Sequence, residues 1–400
     1  MSLYNLSCRA FQISANLGIS LLDWREPQQI KGPGSVLELP LLLKCLGLER
    51  VLLVTDPNLM RLGLPHGLLK ALETAGIACA VYSDTQVNPT IQNMNEAHAL
   101  YREARCQGII AFGGGSPIDC AKGAGTLAAR PRKTLPQMRG ILKVLKKLPP
   151  LFAVPTTAGT GSEATVAAMV TDPAAREKYA VMDIKLRPRY AVLDPQLTVS
   201  LPPDLTATTG MDALTHAVEA YIGRSNNKKT ARMALEAVPL IFGWLETAYR
   251  DGANLEAREN MLQASYKAGV AFTQAYVGYA HAIAHALGGL YGTPHGLANA
   301  VILPHVLDWY GTAAHKRLAG LAKVAGLPGE DDAELAQGFI ARIREMNARM
   351  SIPETFDCIL EEDIPLIAKR AMKEANPLYP VPKIMRQGAC EALVRELMKK

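Results

Sequence analysis

The sequence predicts a chain of two domains, in which an α/β domain with a mostly parallel sheet precedes an all-helical domain. At 400 residues the chain exceeds the size at which a single hydrophobic core stops growing. Short apolar runs alternate with helical periodicity up to about residue 201, and strand signals stop from Pro202-Pro203 onward. We therefore expect an N-terminal extension at residues 1–24, the α/β domain at 25–201 and the helical domain at 202–400.

The elements of the α/β half follow from periodicity and turn residues. Continuous apolar runs that end in turn residues, such as the run before Asp56-Pro57, are typical of buried parallel strands. We predict a turn at 32–35 before a helix, helices at about 64–75, 93–105 and 118–128, and strands at 51–55, 78–83, 108–112, 151–154 and 190–193.

The N-terminal extension carries one apolar stripe. Six side chains recur at steps of three and four, which predicts an amphipathic helix: Leu3, Leu6, Ala10, Ile13, Leu17 and Leu21. With Arg9 as its one basic residue and no cleavage site, the segment is a poor signal peptide. Because a short isolated helix is marginal in water, we expect the stripe to be buried on the chain's own body, on a neighbouring subunit or in a groove of another protein.

Composition excludes several classes of protein. A hydrophobic fraction of 49% and a charged fraction of 20% are typical of globular domains, and no apolar run is long enough to span a membrane. The net charge of +6 is modest, and the basic stretch 130–147 lacks interleaved aromatic residues, so we expect no nucleic-acid binding. Seven scattered cysteines without CxxC spacing predict reduced thiols and a cytoplasmic location.

Two polar loops follow predicted strands. The run Gly113-Gly114-Gly115-Ser116 opens a helix, where glycines let the backbone approach a diphosphate and the helix N-terminus supplies amide donors. A tight turn between strand and helix would also require glycine. The second loop, residues 155–163, contains four hydroxyl groups and two glycines, whereas helix capping would need a single hydroxyl.

Asp56 follows a predicted strand, at the sheet edge where open parallel sheets bind ligands. A carboxylate there accepts a hydrogen bond from a ribose 2′-hydroxyl and repels a 2′-phosphate. This position favours NAD over NADP.

The helical half contains a group of carboxylate and imidazole side chains. Asp212 and His216 are four residues apart on one predicted helix, and His281 and His285 repeat that spacing on a second. His295 follows a predicted Gly-rich turn at residues 288–292 and can fold back toward that helix. A single pair at this spacing is usually exposed or capped, but the whole set indicates a site for iron(II) or zinc.

Four motifs together resemble the iron-containing (group III) alcohol dehydrogenase family: GGGSPID, FAVPTTAGTGSE, GMDALTHAVEAY and HAIAHALGGLYGTPHGLANA. The resemblance runs from about Pro27 to the end, and is greatest to dehydrogenases of short primary alcohols, propanediols and the ethanolamine pathway. It implies the dehydroquinate synthase-like architecture, with NAD in the cleft between a dinucleotide-binding domain and a helical metal-binding domain.

The resemblance also implies roles for individual residues. The metal ligands are Asp212, His216, His281 and His295, and His285 occupies the unligated position near the nicotinamide. The cofactor-binding residues are Gly114, Gly115, Ser116, Asp119, Thr156, Thr157, Thr160, Ser162 and Lys178, in addition to Asp56, which its position after a predicted strand indicates. Phe272, Tyr276 and Ala167 belong to the substrate pocket, and Ala167 departs from the larger or polar residue of several relatives.

The implied reaction is hydride transfer between NAD(H) and a short primary alcohol or aldehyde, with aldehyde reduction as the physiological direction. The metal would polarise the substrate oxygen and His285 would relay the proton. The family favours iron(II), although zinc binds such ligands more tightly. Polyol oxidation like that of glycerol dehydrogenases is an alternative.

A dehydroquinate synthase-like lyase would need basic residues around an anionic substrate, yet residues 269–295 contain no Lys or Arg. A catalytically silent scaffold subunit conflicts with the intact ligand and loop residues.

A homo-oligomer is expected. The N-terminal helix resembles the encapsulation helices of dehydrogenases housed in bacterial microcompartments, which implies shell or cargo proteins as partners.

Overall fold

The computed structural model describes residues 3–175 and 177–399, so the first two residues of the predicted extension lie outside the described residues. The chain forms two compact units. The α/β unit comprises residues 23–201 and 253–262, and the helical unit comprises residues 1–22, 202–252 and 263–400.

The α/β unit is built from strands that alternate with helices, as the sequence predicts. Its elements are β1 (Gln28–Lys31), α2 (Leu39–Cys45), β2 (Arg50–Val54), α3 (Pro57–Arg61), α4 (His66–Thr74), β3 (Ala78–Tyr82), α5 (Ile91–Glu103), β4 (Gly108–Gly113), α6 (Gly115–Ala129), β5 (Gly140–Ile141), β6 (Leu151–Pro155), β7 (Ala167–Asp172), β8 (Glu177–Met182) and β9 (Tyr190–Leu193). The helix expected before residue 75 is α4, and the shorter α3 precedes it.

Six strands form a parallel sheet in the order β1-β9-β6-β4-β2-β3. Successive residues of the central strands point to opposite faces, and each face has its own core. Leu52 and Ile109 belong to one core, whereas Val51 and Ile110 belong to the other. Because both faces are covered, β2, β4, β6 and β9 are almost continuously apolar, and this makes them easy to recognise in the sequence.

A second sheet, with the strand order β5-β8-β7, was not predicted from the sequence. Strands β7 and β8 form an antiparallel hairpin in register from Ala167–Met182 to Asp172–Glu177. Both strands are only partly buried, so neither shows the continuous apolar pattern of the main sheet.

The helical unit contains α1 (Leu3–Ser20), α7 (Pro203–Ile222), α8 (Lys228–Arg250), α10 (Tyr279–Tyr291), α11 (His295–Tyr310), α12 (Thr312–Val324), α13 (Asp332–Arg349), α14 (Ile364–Ala375), α15 (Gln387–Glu396) and, from residue 263, α9 (Leu255–Ala275). The predicted fold, an α/β domain followed by helices, is confirmed. Among the described residues, none of the helices has the length and apolar character of a membrane span. The expected Gly-rich turn at 288–292 is wrong, because α10 continues to Tyr291 and only Gly292, at φ 69°, breaks the helix.

Helix α1 forms as predicted, but its apolar stripe is not buried on the chain's own body. Leu3, Ile13 and Leu17 are 86%, 71% and 66% exposed, and Leu6, Ala10 and Leu21 are exposed as well. The opposite, polar face packs instead on the helical unit through Cys8 and Gln12. The expectation of burial on the chain itself is therefore wrong, because hydrogen bonds to main-chain carbonyls determine which face docks.

Candidate metal centre and cofactor loops

Helices α7, α10 and α11 bring four of the predicted residues together. Ligand atoms of Asp212, His216, His281 and His295 all lie within 4.8 Å of one another, and the first three residues are buried. Oδ1 of Asp212 lies 3.5 Å from Nε2 of His295 and 3.9 Å from Nε2 of His281. Two ligands of a tetrahedral ion with bonds of about 2.1 Å are separated by about 3.4 Å, so this spacing suits one divalent cation.

The donors themselves fit iron(II) or zinc. Nε2 of His281 is buried and has no hydrogen-bond partner among the described residues. Burial, followed by the neighbouring imidazoles, lowers the pKa of His281 well below 6.5 and keeps the ring neutral, which is the form that binds a metal. A carboxylate with neutral imidazoles is a typical ligand set for these ions.

Glu219, which the sequence analysis missed, holds His281 in place. Oε2 of Glu219 accepts hydrogen bonds from Nδ1 of His281 at 2.6 Å and from the backbone N–H of Gly278 at 2.7 Å, and Oε1 accepts from the N–H of Ala280 at 2.8 Å. With the proton on Nδ1, Nε2 is free to bind a cation. Burial raises the pKa of Glu219 to about 7, against the lowering effect of the N–H groups that donate to it. Glu219 follows Asp212 by seven residues and so lies on the same face of the helix, a spacing from which it could have been predicted to belong to the site.

Asn299 is a second missed residue. It is fully buried on α11, and its side-chain amide donates to Oδ1 of Asp212 at 2.7 Å. The spacing of four residues from His295 places both side chains on one face of α11. Asn299 thus orients the carboxylate toward the three imidazoles.

His285 lies one turn beyond His281, and its ring stacks on that of His295 with centroids 5.1 Å apart. Nδ1 of His285 donates to Oε1 of Glu374 at 2.7 Å, and the same oxygen accepts from the Tyr379 hydroxyl at 2.6 Å. Burial raises the pKa of Glu374, but His285 and Tyr379 outweigh it and lower the pKa overall. Neither Glu374 nor Tyr379 was singled out in the sequence.

Two predicted pocket residues lie on α9 or just beyond it. The Phe272 ring stacks on His216 with centroids 4.0 Å apart, so it forms a wall of the cluster. Tyr276 adopts a left-handed backbone conformation (φ 65°), and its ring lies 6.4 Å from that of Tyr379. Ala167, the third such residue, begins β7 in the α/β unit.

The two glycine-containing loops meet because β4 and β6 are neighbours, with Gly113 paired to Pro155. A Cβ added at Gly114 would lie 3.2 Å from Oγ1 of Thr157, and one at Gly115 would lie 3.1 Å from Cγ2 of Thr160. Only glycine therefore fits comfortably at this contact. Thr157 and Thr160 are partly buried, whereas Thr156 and Ser162 are buried.

A buried lysine on α6 holds the end of the second loop. Nζ of Lys122 on α6 donates to the Ser162 carbonyl at 2.8 Å, to the Thr165 hydroxyl at 2.7 Å and to the Ala167 carbonyl at 2.9 Å. Burial lowers the pKa of Lys122 to about 8, and burial raises that of Asp119 to about 6. Asp119 accepts from the N–H of Met169, which gives this predicted cofactor residue a structural role as well.

The remaining predicted cofactor residues lie at the same end of the sheet. Ser116 accepts from the N–H of Asn88 at 3.3 Å, and Lys178 donates to Oδ1 of Asn88 at 2.8 Å. Asp56 caps α3, and its Oδ1 accepts from the N–H groups of Asn58 and Leu59. Asp56 follows β2, which lies beside β4 where the strand order reverses, the usual ligand position in open α/β sheets.

Family comparisons agree with this arrangement. Residues 27–195 match the family described as iron-containing alcohol dehydrogenase, and residues 206–398 match the C-terminal domain of the Fe-containing alcohol dehydrogenase family. Together the two matches cover most of the chain.

Individual relatives extend the likeness. The chain is 40% identical over 351 residues to the 1,3-propanediol dehydrogenase of Klebsiella pneumoniae, which covers 86% of this chain and 90% of that protein. It is 37% identical over 352 residues to the NAD-dependent methanol dehydrogenase of Bacillus methanolicus, covering 87% and 92%. A solved 1,3-propanediol oxidoreductase superposes with a TM-score of 0.91 at 37% identity, covering 94% of this chain and all of that one. The chain therefore belongs to the iron-containing alcohol dehydrogenase family and is an alcohol–aldehyde oxidoreductase of the class that uses NAD(H) and iron.

Proposed function

We propose that the chain reduces short aldehydes to primary alcohols or diols, with iron(II) bound by Asp212, His216, His281 and His295. The observation that carries this proposal is the convergence of one carboxylate and three imidazoles, three of these four residues being buried, with Glu219 orienting His281. Relatives named for 1,3-propanediol and methanol support a small alcohol. The lack of Lys and Arg in residues 269–295 supports a neutral substrate.

When bound, the metal would supply polarisation of the substrate oxygen and NAD(H) would supply or accept the hydride, which is chemistry that side chains lack. We assign the proton to His285. Because its Nδ1 proton is donated to Glu374, Nε2 is the atom that gives a proton to, or takes one from, the substrate oxygen.

We assign NAD binding to residues 25–201 and metal binding to residues 202–400. Gly114, Gly115 and Ser116 would hold the diphosphate at the N-terminus of α6. Asp119, Thr156, Thr157, Thr160, Ser162 and Lys178 would complete the cofactor site, with Asp56 at the ribose. Phe272, Tyr276 and Ala167 would contact the substrate.

Two variants test the assignment of roles. His281→Ala should lose metal and turnover together, since a site that loses one of four ligands holds its ion poorly. His285→Ala should retain the metal but lower kcat by about 100-fold or more, the usual contribution of a general acid or base. Metal content by mass spectrometry and NADH-coupled aldehyde reduction would be measured on both. Full metal in His281→Ala, or metal loss in His285→Ala equal to that in His281→Ala, would refute the respective role.

For the N-terminal helix we propose binding to a microcompartment shell or cargo protein, in a cytoplasmic homo-oligomer. The exposed stripe from Leu3 to Leu21 supports an apolar groove as its binding site. Residues 1–23 fused to a fluorescent protein should enter microcompartments of the source cell, whereas a Leu6→Asp, Ile13→Asp fusion should stay diffuse. A wild-type fusion that stays diffuse would contradict targeting.

A further inference from the structure

The segment between α14 and α15, residues 376–386, has irregular backbone but contributes to the His285 environment through Tyr379. The segment forms no helix or strand, so its position depends on individual hydrogen bonds. One runs from the Tyr379 N–H to the Ala375 carbonyl at the end of α14 at 2.6 Å, and others come from elsewhere in the helical unit. The N–H of Arg224 donates to the Pro380 carbonyl at 2.6 Å, and the Tyr279 hydroxyl accepts from the N–H of Met385 at 2.8 Å. The stretch around Tyr379 has a further set of partners on α1.

Arg9 and Gln12 of α1 hold four carbonyls of this segment, and we call these two side chains the α1 clamp. Nε2 of Gln12 donates to the carbonyls of Pro377 at 3.0 Å and Tyr379 at 2.7 Å. The Arg9 guanidinium donates to the carbonyls of Val381 at 2.7 Å and Pro382 at 2.9 Å. Arg9 also donates to Oε1 of Gln12 at 2.8 Å, so the two side chains act as one unit.

A series of hydrogen bonds connects the α1 clamp to His285. Gln12 binds the main chain of Tyr379, whose hydroxyl donates to Oε1 of Glu374. That oxygen is the acceptor for Nδ1 of His285. Each step is a hydrogen bond of 2.7 Å or less, and the Tyr379 side chain is buried, so a shift of its backbone moves its hydroxyl away from Glu374.

We propose that α1 is a positioning element for the reaction, which fixes the ring of His285 through Gln12, Tyr379 and Glu374. The proposal rests on the proton role assigned to His285 above. The docked face of α1 and its exposed apolar stripe are separate surfaces. The helix can therefore serve catalysis whatever covers the stripe.

The first test is Gln12→Met in the full-length enzyme, a change that keeps side-chain length but removes both donated hydrogen bonds and the one accepted from Arg9. Small displacements of catalytic groups can lower rates by up to about 100-fold; with the other anchors intact, we expect kcat to fall by about three- to tenfold. The KM for NADH and the metal content should not change. Ser14→Ala is the matched control on the same helix, because Ser14 is exposed and, among the described residues, its hydroxyl donates to the Ala10 carbonyl within α1 alone.

Hydrogen exchange gives a readout independent of turnover. Peptides covering residues 376–386 should exchange faster in Gln12→Met than in the wild-type and Ser14→Ala proteins. Unchanged exchange would mean that Gln12 does not order this segment. A lower melting temperature, with an unchanged kcat at temperatures well below the melting point, would mean that α1 only stabilises the fold. Either result would overturn the proposal.

A double-mutant cycle tests whether the clamp acts through Tyr379. Tyr379→Phe removes only the hydroxyl that reaches Glu374, and it should lower kcat on its own. In the Tyr379→Phe background, Gln12→Met should cause no further loss of kcat. Multiplicative losses would mean that the two residues act separately, and would overturn the proposed route.

The His285→Ala variant separates this proposal from the proposed function. If His285→Ala keeps a normal kcat, the proton role fails and the positioning proposal fails with it. If His285→Ala loses turnover while Gln12→Met does not, only the positioning proposal is overturned.

Discussion

Glu219→Gln is the change that most directly probes how the metal centre is held. The wild-type carboxylate accepts three hydrogen bonds, from Nδ1 of His281 and the N–H groups of Gly278 and Ala280. A glutamine keeps one oxygen acceptor and places an NH2 group against at least one of these donors. An unsatisfied buried donor costs about 1–3 kcal/mol, so the free energy of unfolding should fall by that amount.

The metal affinity should fall as well, because an amide accepts more weakly from His281 and lowers the basicity of its Nε2. Loss of such a carboxylate partner typically weakens metal binding by about 10- to 100-fold, or about 1.4–2.8 kcal/mol. Metal retained after dialysis against graded chelator concentrations gives the affinity, and thermal melts of metal-free protein give the stability.

Asp194→Asn is the matched control. Asp194 is also a buried carboxylate that accepts three backbone N–H groups, from Gly34, Val36 and Gln196, but it lies in the α/β unit. It should lose comparable stability without a change in metal affinity. If Glu219→Gln binds the metal as tightly as the wild type, Glu219 is only a structural anchor and the reasoning is wrong.

Two further predictions concern the cofactor preference and the pH dependence of stability. Asp56→Gly and Asp56→Ser should both raise the ratio of NADPH to NADH in kcat/KM, and serine keeps the cap of α3 that the aspartate provides; an unchanged ratio would make Asp56 a turn residue only. Burial lowers the pKa of His281 below 6.5, so in metal-free protein the unfolded chain binds a proton that the folded chain resists. The contribution of His281 to the free energy of unfolding is then fully present above pH 6.5 and should be lost as the pH drops below 6.5. Urea unfolding between about pH 5 and pH 8 measures this loss. The loss should shrink in His281→Gln, and an equal loss there would assign it to other groups.

The sequence by itself determined the main parallel strands, most of the helices between them and several residues of the candidate site, because these depend on local patterns. Buried parallel strands are continuously apolar, so β9 (Tyr190–Leu193) was predicted with its observed bounds. Asp212 with His216, and His281 with His285, share a helix face through a spacing of four residues, which needs no tertiary information. Glu219 was within reach of the same argument.

Only the tertiary structure decided which groups face each other across long stretches of chain. The pairing of β4 with β6 brings the two loops together, and helix packing brings Glu219 and His281, 62 positions apart in the chain, into contact. Periodicity could not predict which face of α1 packs on the protein. An apolar stripe predicts its own burial, whereas the face that docks carries Gln12, which donates to carbonyls more than 360 positions away. Hydrogen-bond partners at such separations depend on how the whole fold packs, so they cannot be predicted from the identity of a single residue in the sequence.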